Sequence, residues 1–144
     1  MKAAATTLLA LVLAAQPGCS REHHGKNQDG ATSIEAATDV FWALQREGYA
    51  VAKEKPLKSR HGCSSSEYRA AKEGAVFKIS VFKCGDAARA AGLAGDEHYK
   101  HIDALLRNHH EGGVLRRGAF IIIVRKETGT AGQADALMTF LSSL

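Results

Sequence analysis

The sequence lacks most of the signatures by which an enzyme is read from its residues. It has no Gly-x-Ser-x-Gly elbow, no phosphate-cradling glycine loop, no dinucleotide fingerprint and no paired-carboxylate motif. Its three cysteines include no Cys-x-x-Cys spacing, which points away from a redox-active pair and towards a structural one. Its one leading apolar stretch, residues 3–15, falls well short of the roughly 20 residues that a membrane-spanning helix needs. The formal net charge of +4 is a mild excess that gives no footprint for nucleic acid. No internal repeat is visible along the 144 residues. The expectation is a non-catalytic protein, with no catalytic residue to name.

What is present begins at the amino terminus. Lys2 supplies a positive start, residues 3–15 are rich in Leu and Ala, and Gln16, Pro17 and Gly18 lead into Cys19. A charged start, a short apolar stretch and a small-residue exit form an export signal. The placement of Cys19 directly after Gly18 resembles bacterial lipoprotein signals. That resemblance implies that Cys19 becomes the acylated first residue of the mature chain and holds it to a membrane. It also implies sorting: Ser20 after the lipidated Cys is similar to chains sent to the outer membrane of Gram-negative cells. Gln16 stands where the pattern usually has an aliphatic residue, and the alternative is plain secretion with cleavage near Ala14 or Ala15.

Cysteine arithmetic leads independently to the same division. In an oxidising compartment an odd exposed thiol is unusual, so a lipid on Cys19 leaves Cys63 and Cys84 as a pair. Residues 68–73 and 75–84 read as two strands meeting at Gly74. With Glu73 and Gly74 as the two turn residues, Lys72 faces Ala75, and nine further steps place Cys63 opposite Cys84 at a non-hydrogen-bonded site. There the Cα atoms should lie about 4.5 Å apart. The same register puts Tyr68, Ala70, Phe77, Ile79 and Val81 on one face, towards a core. Glu67, Arg69, Lys78 and Ser80 share the other face, towards water, with Arg69 set against Lys78.

Three segments follow from composition. Residues 1–18 are the signal, residues 19–32 are a polar tether without apolar period, and residues 33–144 suit one domain. Without residues 1–18 only Lys2 is lost among charged groups, leaving 18 cations against 15 anions, a net +3. A capping box at residues 32–35 predicts a helix over 33–47 with Ala37, Val40, Phe41 and Leu44 on its inner stripe. Trp42 lies off that stripe and is either covered by a second layer or free to contact a partner. A short strand is expected at 49–53. Asp86 should cap an Ala-rich helical stretch interrupted by Gly92 and Gly95, and Asp96 a second one to about residue 110, with Tyr99, Ile102, Leu105 and Leu106 inward. Residues 114–117 and 119–126 predict a second hairpin about Gly118, the apolar run at 119–124 marking a central strand. Thr130 with Gln133 starts a closing helix carrying Leu137, Leu141 and Leu144. The order α-β-β-β-α-β-β-α predicts an α+β fold, an antiparallel sheet of four to five strands on two to three helices.

Two groups of residues remain as candidates for binding. His98 and His101, at i and i+3 on the second helical segment, could share zinc or copper with a third ligand from elsewhere. His109 lies about 16 Å from His98 along a straight helix, too far to share the ion. The cations Lys53, Lys55, Lys58 and Arg60, and Arg116, Arg117, Arg125 and Lys126, either meet anionic lipid head groups or keep edge strands soluble. The leading expectation is an envelope protein anchored to the membrane by lipid, binding another envelope component through a sheet face, Trp42 or the basic edge at Arg116 and Arg117. A histidine-based metal-binding or sensing lipoprotein is the alternative, and an envelope hydrolase comes third.

Overall fold

The computed structural model describes residues 34–55 and 61–144. The export signal, Cys19, the tether and its His23 and His24, and Lys58 and Arg60 lie outside the described residues.

The central hairpin is set by its turn. Glu73 and Gly74 both take positive φ, 51° and 80°, the combination that matches a two-residue connection to the right-handed twist of its strands. It joins β2 (Ser64–Lys72) to β3 (Ala75–Lys83), with Lys72 opposite Ala75 and Ser64 opposite Lys83. One step beyond, Cys63 and Cys84 are disulfide-bonded with Cα atoms 4.1 Å apart. The register and the bridge are those expected from the turn. Before this hairpin, α1 (Ala37–Arg46) leads into β1 (Ala50–Glu54), which pairs antiparallel with β2.

Helix α1 begins at Ala37, four residues later than the capping box at 32–35 implies. Asp39 sets that start, because its Oδ2 accepts the main-chain N–H groups of both Glu35 and Ala36 at 2.8 Å. Beyond β3, the helical arm is two helices, α2 (Ala87–Ala94) and α3 (Glu97–Asn108). Asp86 accepts the Arg89 N–H and Asp96 the His98 N–H, as N-caps. Gly92 stays inside α2, and Gly95 ends it.

The second hairpin joins β4 (Gly112–Arg117) to β5 (Phe120–Thr128), and α4 (Ala131–Ser142) closes the chain behind its Thr130/Gln133 capping box. Strand order is β1-β2-β3-β5-β4, antiparallel throughout. The apolar run therefore lies in an inner strand, as expected.

Both faces of β5 are buried, but in different cores. Phe120, Ile122 and Val124 join Tyr68, Phe77, Ile79 and Val81 beneath α1 and α4, whose Val40, Leu44, Leu137 and Leu141 are fully buried. At about 1.5–3 kcal/mol for each fully buried large apolar side chain, this is the main source of stability. Ile121 joins Phe82, the disulfide, Ala90, Leu93 and Tyr99 in a smaller core on the opposite face. The face of β2 and β3 expected to meet water is thus covered at its disulfide end by the helical arm. Leu105, expected to point inward, is 48% exposed, because it lies about 100° round the helix from the buried line through Tyr99 and Leu106.

Candidate interaction surface

Burial of the α1 stripe forces its remaining aromatic outward. Val40 and Leu44 fill the core, so Trp42 is turned away from the sheet and stays 55% exposed. No second layer of described residues covers it. It stands edge-on to Phe41, with ring centroids 5.1 Å apart, and Phe41 packs on the buried Tyr68 at 5.6 Å. Burial raises the Tyr68 phenol above its ordinary pKa, partly offset by a hydrogen bond with Ser66. An aromatic held this way presents a rigid contact area at small entropic cost.

On the face away from α1 and α4, the three inner strands carry charge. Arg69, Lys78 and Arg125 stand side by side on β2, β3 and β5. Arg69 is held between Glu54, at 3.4 Å, and Glu127, at 2.7 Å, and Lys78 Nζ lies 2.9 Å from Glu67 Oε1. Like charges directly opposite are thereby compensated along the diagonals. The Glu67 carboxylate is buried, and the ammonium approaches at ion-pair distance without hydrogen-bond geometry.

The two edges of the sheet differ. At β4, Val114 is paired across from Ile123, and its main-chain groups are taken up by α3. Asp103 Oδ1 accepts the Val114 N–H at 2.7 Å, and Arg107 Nη2 donates to the Val114 carbonyl at 3.4 Å while its Nε pairs with Asp103 at 2.7 Å. Gly113 makes this approach possible, since a Cβ there would lie 2.9 Å from Asp103 Oδ1. At β1 no such cover exists among the described residues.

The basic pair on β4 does not form one patch. Adjacent strand residues point to opposite faces, so Arg116 is exposed opposite Ile121 while Arg117 donates to the Leu144 carbonyl beside α4. His98 and His101 are both exposed on α3, and the His98 ring rests against Tyr99 at 5.4 Å. Among the described residues no three His, Cys, Asp or Glu side chains are grouped as metal ligands. His110 lies apart from both, 3.3 Å from Asp135 of α4.

A hollow of about 100 Å³ is lined by Tyr49, Lys72, Ala75, Phe77 and Gln133. Ligand pockets usually run to several hundred Å³. Its polar groups hold the fold together: Lys72 donates to the Glu47 carbonyl at 2.7 Å and lies over the Tyr49 ring, and Gln133 donates to the Glu73 carbonyl. Burial, with the carboxylates of Glu47 and Glu73 nearby, raises the Tyr49 phenol.

The clamp of Asp103 and Arg107 on β4 has only a faint trace in the sequence, an acid and a base at i and i+4 on a helix just before an edge strand. No helix among the described residues is long and apolar enough to cross a membrane. No protein-family model, curated protein or solved structure matches this chain.

Proposed function

We propose that this chain is a lipid-anchored, disulfide-stapled domain of the bacterial envelope that binds another envelope component and catalyses no reaction. In a Gram-negative cell the outer membrane is the favoured address. The acylated Cys19 and the polar tether of residues 19–32 would keep the domain close to the membrane while leaving it free to reach a partner. The observation that carries the binding role is Trp42, a large aromatic left 55% exposed while its own helix is packed on the core through Val40 and Leu44. Trp is among the residues most enriched at the energetic centres of interfaces. The capping, clamping and bridging roles of Asp39, Asp86, Asp96, Asp103, Lys72 and Gln133 leave these groups engaged with main-chain atoms, which supports a structural and not a catalytic use.

Crosslinking of the membrane-bound protein in its own cells tests this. A specific crosslinked partner should be captured by the native chain and lost with Trp42→Ala, while the melting temperature changes little, since truncating an exposed side chain costs within about 0.5 kcal/mol. A partner captured equally by Trp42→Ala would move the interface elsewhere, and Arg116→Glu and Arg117→Glu then test the β4 edge.

A further inference from the structure

The hydrogen-bond phase of the sheet shows what β1 presents outward. A two-residue turn makes Lys72 and Ala75 a hydrogen-bonded pair, so alternate residues of β2, Ala71, Arg69 and Glu67, direct their main-chain groups towards β1. Their partners are Ala50, Ala52 and Glu54. The intervening residues Val51 and Lys53 therefore aim their N–H and C=O groups away from the sheet, and no described residue meets them. The other edge is closed at the equivalent groups of Val114 by Asp103 and Arg107. The β4 edge is thus interrupted at Val114, whereas on β1 neither Val51 nor Lys53 is capped by a described residue, which leaves β1 as the template for a further strand.

The charges along this edge indicate what it accepts. Lys53 and Lys55 are exposed, whereas the intervening Glu54 carboxylate is engaged by Arg69 at 3.4 Å. Lysine on an edge discourages pairing with a second copy of the same basic strand and favours an acidic one. Lys53 lies directly across from Tyr68, whose ring packs against Phe41, and Trp42 stands edge-on to Phe41, so a chain of ring contacts runs from the open edge to the exposed aromatic. We propose that β1 takes up an extended acidic segment of the partner as a sixth strand, through the main-chain groups of Val51 and Lys53. This rests on the binding role proposed above and specifies how the partner is held.

The test uses the complete mature chain purified from membranes in detergent and a labelled nine-residue peptide of alternating Glu and Val. Proline is tolerated where the strand N–H faces away from the sheet, so Lys53→Pro removes one outward donor and leaves the β1 to β2 ladder intact. The native chain should bind the peptide, and peptide should slow hydrogen exchange at Val51 and Lys53. Lys53→Pro should weaken binding at least tenfold with unchanged melting, Lys53→Ala should weaken it less, and a Lys/Val peptide should not bind. Equal binding by Lys53→Pro would overturn the proposal. So would exchange at Val51 and Lys53 that is already slow without peptide, whether the chain is dimeric (a second copy on the edge) or monomeric (its own tether there). A crosslinked partner lost with Trp42→Ala yet kept with Lys53→Pro would reject strand addition while leaving the binding role standing.

Discussion

Asp103 on α3 and Val114 on β4 are joined by a hydrogen bond of 2.7 Å in which a side chain takes the place of a sixth strand. The same oxygen is held by Arg107, which fixes the acceptor against the strand edge. Asp103→Ala should leave the Val114 N–H without its partner and cost about 1–3 kcal/mol. Asp103→Asn, which keeps an acceptor, should cost less. Urea unfolding of the three proteins should order them native, Asn, Ala; equal stabilities would show that water replaces the clamp without loss.

Gly112 and Gly85 form a matched pair for testing close approach. A Cβ at Gly112 would lie 2.0 Å from the Val124 carbonyl oxygen, at φ 134°, whereas at Gly85 it would meet nothing within 4 Å. Gly112→Ala should destabilise by at least about 2 kcal/mol through combined clash and backbone strain. Gly85→Ala should be close to neutral. Thermal melts of both variants provide the comparison.

The bridge closes a loop with a sequence separation of 21, for which chain entropy gives about 3 kcal/mol. Cys63→Ala should lower the melting temperature by roughly 10–20 °C for a domain of this size. Cys84→Ala should match it, and the double variant should add little. Membrane attachment should be unchanged in all three and lost only with Cys19→Ala; release of the Cys63 variant would break the division of labour among the cysteines.

Alkaline stability should depend on Tyr49. Its phenol titrates above the ordinary 10.0 because it is buried beside Glu47 and Glu73. In the unfolded chain it loses its proton at the ordinary value, so above pH 10 the native state binds more protons and stability falls as pH rises towards the folded pKa. Below that window Tyr49 contributes no pH dependence. Tyr49→Phe should flatten the decline of the urea midpoint above pH 10, the residual slope coming from Tyr68, which is raised in the same direction. An unchanged slope would contradict this.

Much of the fold was legible because local rules chain together. A two-residue turn at Glu73 and Gly74, combined with the period of two, fixes every pair from Lys72/Ala75 to Cys63/Cys84. The Thr130/Gln133 box and the apolar run of β5 were equally explicit. Elsewhere two signals competed. Thr32 and Ser33 offered a cap, but Asp39 starts α1 at Ala37 by binding the Ala36 N–H. A stripe drawn through consecutive leucines took Leu105 inward, where only Leu106 continues the line from Tyr99. The interaction surface was legible only as candidates. Trp42 stood out by its phase on the helix, but which edge is open depends on α3 reaching β4, a contact between side chain and main chain that no periodicity encodes.

The most direct test of a lipid-anchored, disulfide-stapled envelope protein is the intact mass of unreduced protein from the membrane fraction. A chain beginning at Cys19, heavier by a diacylglyceryl or triacyl group and lighter by the two hydrogens of the Cys63/Cys84 bridge, is the predicted result. A chain beginning near Ala15 or Gln16 with no acyl mass would contradict the account and make this a freely exported protein.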